Sequence, residues 1–316
     1  MLWLLFPTEV NVMRQRVLAL LCLMLLLSGC MGVPHDSKTN PLDSAAKQNQ
    51  KNHATESAHD DVTSSSETFL LTGVDSRGEP SSRSDAILLA QYDPHLQKVK
   101  LASIMRDSYV KIPGYKLGSN KINTAYYLGG SELLKKTIYH NFHIKVDHVV
   151  TIDFKGFEKL VDLLAPEGIK VDVKPEMIQD MSIEASKGEN ILHGEEILKY
   201  VRFRHDGESD FGRVQRQQEV LIQLKDNMTE RFSSVEGIVS MPHLLNEAMA
   251  LTDSDMKMKD YLEYGSSLLF NPIEEVNTLR IPVEGSFTDQ IYPHSGSVLL
   301  LDMKRNQTEL KDFFEK

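Results

Sequence analysis

The chain has 316 residues, long enough for one large domain or two small ones, with a sizeable core in either case. Hydrophobic residues make up 41% and charged residues 25%, the balance of an ordinary globular protein. The formal net charge of −10 argues against a general attraction to DNA, RNA or acidic lipid headgroups, so no nucleic-acid partner is expected and any anionic ligand needs a local positive cluster. The only cysteines, Cys22 and Cys30, lie in the first tenth of the chain, so the folded part has no disulfide framework, cysteine metal site or thiol nucleophile.

The N-terminus reads as an export signal. Arg14 and Arg16 precede an apolar run, Val17–Leu27, followed by Ser28, Gly29 and Cys30. These eleven apolar residues are fewer than the roughly 20 that span a bilayer core. Leu27-Ser28-Gly29-Cys30 resembles a bacterial lipobox, whose cysteine is acylated and becomes the mature N-terminus. Two acyl chains on Cys30 suffice for stable membrane attachment. The alternative is an uncleaved signal anchor that draws on the apolar stretch Met1–Pro7, although the polar break Thr8–Arg16 separates the two. Met1–Val12 reads as an upstream extension, with Met13 the natural start. Either anchor places the rest of the chain on the outer face of the cell membrane. Residues 31–67 follow as a polar tether. Its stretch Pro34–Glu67 has no aromatic residue and too few branched aliphatics to offset the ordering of its backbone.

From Thr68 the pattern becomes that of a folded domain, 68–316. Thr68–Val74, Ala86–Tyr92 and Lys98–Ile104 read as strands between Gly, Pro, Ser and Asp turns. Helical spacing follows over Ser131–Phe142 and Phe154–Leu164, with strand candidates at His148–Ile152 and Ile169–Val173. Gly194–Lys199 reads as a short helix, Tyr200–Arg204 as a strand and Phe211–Arg231 as a long helix. Met256–Phe270 closes the helical set, and Asn277–Val283 and Ser297–Met303 are late strands. The alternation predicts an α/β fold, a central β-sheet flanked by α-helices.

Charge concentrates in Tyr200–Gln218, YVRFRHDGESDFGRVQRQQ. As a strand, Tyr200–Arg204 would place Tyr200, Arg202 and Arg204 on one face, costly unless an anion satisfies the arginines. In the following helix Arg213, Gln217, Val220 and Leu224 share a stripe, polar near the helix N-terminus, where free N–H groups also favour an anion. Planar guanidinium groups suit phosphate oxygens. The competing reading pairs these arginines with Asp206, Glu208 and Asp210 in a surface network. A second constellation is Asp75 at a strand end, then Arg83 and Asp85 where the next strand opens. Two carboxylates facing a phosphate site suit a Mg²⁺ ion shared with phosphate oxygens, whereas Asx turns or caps are the plainer role for each aspartate. Arg106-Asp107 and Lys121 add charge at further element ends.

In order along the chain, LLTGVDSR, RSDAILLAQYDP, KVKLASIMRDSYVKIPG, KINTAYYLGG, VDHVVTIDFKGFEKLVDLL and LHGEEILKYVRFRHDGESDFGRVQRQQEVL resemble the LytR–CpsA–Psr family over about Phe69–Leu221. NTLRIPVEGSFTD extends the likeness toward the C-terminus. The resemblance implies a central mixed β-sheet, and a Mg²⁺-dependent transferase that moves a polyprenyl-pyrophosphate-linked glycopolymer, such as wall teichoic acid or capsule, to peptidoglycan. Carried over by motif position, Asp75 and Asp85 would hold the metal. Arg83, Arg106, Arg202, Arg204 and Arg213 would bind the phosphates, with Lys121 and Gln217 assisting. Asp75 or a neighbour would take the proton of the attacking hydroxyl, and the lipid tail would run through an apolar tunnel between sheet and helices. Three departures stand out: Met105 where the family has proline, Pro166-Glu167-Gly168 in place of Gly-Gly, and a lipobox in place of a transmembrane anchor. Two rivals share the motifs, an envelope regulator that binds polyprenyl pyrophosphate without turnover and a hydrolase that releases the polymer to water.

Overall fold

A computed structural model describes residues 67–75, 82–93, 95–205 and 209–316. The chain divides into two units, Met1–Asp61 and Val62–Lys316, and every described residue belongs to the second. The expected export signal with Cys30, the tether up to residue 66, and Arg77, Asp206 and Glu208 lie outside the described residues.

Three strands open the fold: β1 (Thr68–Val74), β2 (Ser84–Asp93) and β3 (Lys98–Ile104). The short strands β4 (Ser108–Lys111) and β5 (Ser119–Lys121) lead into helix α1 (Asn123–Phe142). After β6 (His148–Asp153), α2 (Phe154–Leu164), β7 (Ile169–Val173), α3 (Pro175–Met181), β8 (Gly188–Leu192), α4 (Gly194–Arg202) and α5 (Ser209–Arg231) form the middle of the chain. The last part holds α6 (Val235–Ala250), β9 (Asp253–Ser254), α7 (Met258–Phe270), β10 (Glu275–Ile281), β11 (Phe287–Tyr292), β12 (Gly296–Leu301) and α8 (Met303–Glu315).

The main sheet has the order β10-β3-β2-β1-β6-β9. β1 runs parallel to β6 and β10 parallel to β3, while the other neighbours are antiparallel, so the sheet is mixed as expected. A second sheet, β11-β12-β4-β5, and a two-stranded ribbon, β7-β8, complete the β structure among the described residues. The alternation in β1 decides where its faces go. Thr68, Leu70, Thr72 and Val74 are buried, whereas Phe69, Leu71 and Gly73 are only half-buried. Leu70 joins one apolar core with Leu134, Ile138 and Phe142 of α1 and Leu310 and Phe314 of α8. The helices α2, α4 and α5 build a second core with β7, through Val161, Ile197, Val201, Val220, Leu224, Ile169 and Val171. Between this second core and the opposite face of the sheet the site is formed.

One expected element is corrected. Tyr200–Arg204 is not a strand: α4 continues to Arg202, and Phe203 follows in extended conformation. Ile197 and Val201, at i and i+4, are both buried in the second core. Lys199 reaches back to Glu196 at 2.7 Å and Glu195 at 3.2 Å. These helical contacts outweigh the short alternation that the five residues also display.

Candidate active site

An apolar cavity of about 360 Å³ lies between the main sheet and α2, α4 and α5, a size usual for sites that take organic ligands. Leu71, Leu88, Val150 and Ile152 form its floor, and Phe154, Phe157, Leu160, Leu198, Leu221 and Leu224 its walls. Register explains the floor: Leu71 pairs with Leu88 on one side and Val150 on the other, so a row of aliphatic side chains points the same way. A dry, shaped wall of this kind suits a hydrocarbon chain.

Charged and polar groups gather in the same lining: Asp85, Arg106, Arg202, Arg204, Arg213 and Gln217. Arg106, two residues beyond β3, bonds through Nη1 to Asp85 Oδ1 at 2.5 Å and lies 3.5 Å from Asp107 through Nε. Lys121, closing β5, holds Asp107 at 2.7 Å. Asp210, in the first turn of α5, faces Arg213 at 3.1 Å and Arg204 at 3.6 Å. The Arg202 guanidinium sits over the Phe154 ring, 4.2 Å from its centroid, and no carboxylate pairs with it among the described residues.

The balance of this cluster favours an anion. Arg213 is 4% exposed. Burial pushes its guanidinium down to about 10, Asp210 opposes that fall, and Arg106 and Arg204 add to it. The group is still a cation at neutral pH, crowded by two others. Burial also works against the Arg106 charge, yet Asp85 and then Asp107 outweigh it and hold the guanidinium above its ordinary range. Burial likewise opposes ionisation of Asp107, but the hydrogen bond from Lys121 and the charge of Arg106 hold its carboxyl below the usual carboxylate range. The Nε groups of both Arg106 and Arg213 are buried without a hydrogen-bond acceptor among the described residues. Leaving charged donors so costs more than the 1–3 kcal/mol or so of a neutral one, and a phosphate would supply the missing oxygens.

The structure therefore brings together Asp85, Arg106, Arg202, Arg204, Arg213 and Gln217, and joins Lys121 to them through Asp107. The stripe expected on α5 is present, since Arg213, Gln217, Val220 and Leu224 all line the cavity. The route to Arg202 and Arg204 differs from the expected one. They share no strand face: Arg202 ends α4, Arg204 follows in the exposed connection, and Tyr200 is buried with its hydroxyl 3.4 Å from Glu219. Asp75, just past β1, and Arg83, exposed and 5.7 Å from the Tyr127 ring, are not in the cavity lining. Part of the competing network is also real, because Asp210 does pair with Arg204 and Arg213. Sequence reasoning named Asp210 as a partner but missed that Asp107 joins it in knitting the cluster together. The position of Asp107 next to Arg106 was the available signal.

A metal held by Asp75 and Asp85 would sit at one corner of the main sheet. Val74 pairs with Ser84, so the two aspartates follow neighbouring strand positions there. Asp85 already gives Oδ1 to Arg106, and no group of three or more His, Cys, Asp or Glu gathers anywhere among the described residues. Two hard carboxylates fit a Mg²⁺ completed by phosphate oxygens and do not fit an all-protein cage.

Comparison with known proteins agrees with this geometry. The chain matches the LytR_cpsA_psr family over residues 33–312. It is 36% identical over 249 residues to the regulatory protein MsrR of Staphylococcus aureus, covering 79% of this chain and 74% of that one. It is 31% identical over 225 residues to the polyisoprenyl-teichoic acid–peptidoglycan teichoic acid transferase TagV of Bacillus subtilis, covering 68% and 56%. Among solved structures, the family protein TagT with bound octaprenyl pyrophosphate lipid superimposes with a TM-score of 0.57 at 28% identity, covering 79% of this chain and 91% of that one. With the family model spanning most of the folded residues and the mixed sheet, cavity and arginine cluster in place, the chain belongs to the LytR–CpsA–Psr family.

Proposed function

We propose that the protein transfers a glycopolymer phosphate from a polyprenyl pyrophosphate carrier to a peptidoglycan hydroxyl at the outer face of the cell membrane. The observation that carries this reading is one cavity with two chemistries, an aliphatic interior and a cluster of arginines with unsatisfied donors. That is the shape of a lipid pyrophosphate. The isoprenoid tail lies against Leu71, Leu160, Leu221 and Leu224, and the pyrophosphate meets Arg106, Arg202, Arg204 and Arg213. The transferase TagV and the TagT structure with octaprenyl pyrophosphate support the same reading.

In the reaction a sugar hydroxyl oxygen attacks the phosphorus that bears the glycopolymer. The P–O bond to polyprenyl phosphate breaks, and the hydroxyl proton passes to a site carboxylate, Asp75 or its neighbour. The protein mainly positions groups and neutralises charge developing on phosphate oxygens. Arg202, Arg204 and Arg213 stabilise the leaving phosphate, and Arg106, itself held by Asp85 and Asp107, fixes the pyrophosphate between the two sides of the site. Arg83, at the opening of β2, and Lys121 and Gln217 assist at the margin. A Mg²⁺ at Asp75 and Asp85 would add neutralising charge on the pyrophosphate. Cys30 is the proposed lipid attachment point and the tether the means of keeping the domain near its lipid substrate.

The test is to incubate the purified protein with a lipid-linked donor, Mg²⁺ and peptidoglycan, and to look for covalent attachment. Attachment supports the transferase. Released polymer without attachment indicates a hydrolase, and bound but unchanged donor a receptor.

A further inference from the structure

Beyond Asp107 the second sheet carries an aromatic cluster that the chemistry above does not use. Tyr109 of β4 and Tyr292, the last residue of β11, stack with ring centroids 4.6 Å apart and planes 15° from parallel. His294 lies against both rings, at 6.2 and 6.0 Å between centroids. Its Nε2 is 3.2 Å from the Ser119 carbonyl, to which it donates, and 3.2 Å from the Tyr109 hydroxyl. The cluster stands on the outer face of the sheet. Leu299 and Leu301 of β12 enter the core, whereas positions 296, 298 and 300 lie on the other face, where Gly296 pairs with Tyr292, the exposed Leu300 pairs with Tyr109 and Val298 between them is buried. Both tyrosines are partly exposed and His294 is exposed. Rings with a polar edge, held rigid and left open to water, suit a ligand with apolar faces and a hydroxyl rim.

Position says which ligand. Tyr109 pairs across the ladder with Lys121, which holds Asp107, which lies against Arg106. The platform is therefore continuous with the phosphate cluster, yet no described residue of the second sheet lines the apolar cavity. In phosphoryl transfer the attacking and leaving oxygens lie roughly in line. If the leaving polyprenyl phosphate occupies the cavity, the attacking hydroxyl arrives from the opposite side of the pyrophosphate, where this sheet begins.

We propose, on the basis of the transferase reading, that Tyr109, Tyr292 and His294 form a subsite for the pyranose rings of the acceptor glycan strand. Sugar C–H faces rest on the tyrosine rings, and hydroxyls bond to the phenol and imidazole edges. The subsite holds the strand while one of its hydroxyls reaches the phosphate centre.

The experiment titrates the full-length protein in detergent with peptide-free glycan strands prepared from peptidoglycan, followed by saturation-transfer NMR. Wild type, Tyr292→Ala, Tyr292→Phe and His294→Ala are compared, and a short-chain polyprenyl pyrophosphate is titrated separately. Tyr292→Ala is expected to weaken glycan binding about five- to tenfold, and His294→Ala to weaken it less. Tyr292→Phe, which keeps the ring and loses only its hydroxyl, should bind more weakly than wild type and more tightly than Tyr292→Ala. Lipid pyrophosphate binding should be the same in all four, and in turnover the acceptor KM should rise with little change in kcat. A wild type that does not bind the strands overturns the proposal, as does a folded Tyr292→Ala that binds them undiminished. Should Tyr292→Ala fail to fold, undiminished binding by His294→Ala overturns it instead. Absence of lipid pyrophosphate binding in wild type overturns the transferase reading, while glycan binding that depends on Tyr292 would still support the subsite.

Discussion

At the scale of single residues, the site is defined by arginines whose charge exceeds what their carboxylate partners satisfy. Arg213 is the sharpest case, buried beside Arg106 and Arg204, with Asp210 and then Asp85 opposing. Replacing it with Met should leave apo stability unchanged or raised, because a buried charge with imperfect partners gives way to apolar packing. The same substitution should weaken lipid pyrophosphate binding about ten- to a hundredfold, the scale of one hydrogen bond to a charged group at roughly 1.5–3 kcal/mol. Thermal melts and a binding titration read the two effects apart. Asp107 gives a pH signature. Its carboxyl is held below the usual range, so its contribution to stability is fully present above the unfolded value near about 3.9 and is lost as pH falls through the lower folded value. Asp107→Asn should therefore melt lower than wild type at neutral pH, and the gap should close as pH falls below about 4. A gap that stays constant with pH would show that the Lys121 and Arg106 interactions do not act through the charge. These residues were legible in the sequence as types at element ends: Arg202, Arg204, Arg213 and Gln217 were drawn from one charged segment, and all four line the cavity. The pairing of Asp107 with Lys121 was not legible, because it is set by the β4–β5 ladder, which brings Lys121 back beside the end of β3.

At the scale of elements, segments with one clear period were readable and those without were not. β1, β3, α2 and β7 match their expected bounds, since each has one clear period and a turn signal at either end. Tyr200–Arg204 failed because five residues can satisfy two periods, and the choice was made by Ile197 and Val201 packing into a core that the local sequence does not display. The short strands β4, β5 and β9 carry too few residues for a period to register, and β11, exposed along most of its length, shows no alternation to read. α8 escaped notice although Asp302 caps it by accepting from the Arg305 N–H at 3.1 Å, and Asn306, Leu310 and Phe314 mark its buried stripe. α1 begins eight residues earlier than Ser131 because a break at Gly129 and Gly130 divides its periodicity. Gly130, at φ 61° and ψ −157°, occupies backbone space that is essentially glycine-only. Gly130→Ala should cost about 1–3 kcal/mol even though a methyl group there meets no neighbour within 4 Å. A denaturant titration measures this, and an unchanged midpoint would show that the corner adapts without loss. The departure Pro166-Glu167-Gly168 keeps its glycine where φ is +81°, so the turn into β7 is preserved.

At the scale of the whole molecule, the fold separates two kinds of surface around one phosphate centre. The main sheet with α2, α4 and α5 makes the hydrocarbon side, and the second sheet begins at the far side of Arg106 and Asp107. Attachment at Cys30 would hold this centre within reach of a lipid-borne substrate. Cys30→Ala should leave an unprocessed precursor that incorporates no labelled fatty acid, and a wild type that also takes up no label would favour the signal anchor. The central claim is that the arginine end of the cavity binds a lipid pyrophosphate, and Arg202, stacked on Phe154 and without a carboxylate partner among the described residues, isolates it best. The deciding measurement is the melting temperature of wild type and Arg202→Ala, each with and without a short-chain polyprenyl pyrophosphate. Ligand that binds only the folded state raises the melting temperature in proportion to its affinity. The wild type should gain a clear increase and Arg202→Ala a much smaller one, from similar starting points. An equal increase in both proteins would contradict the account, because the pyrophosphate would then lie somewhere Arg202 does not reach.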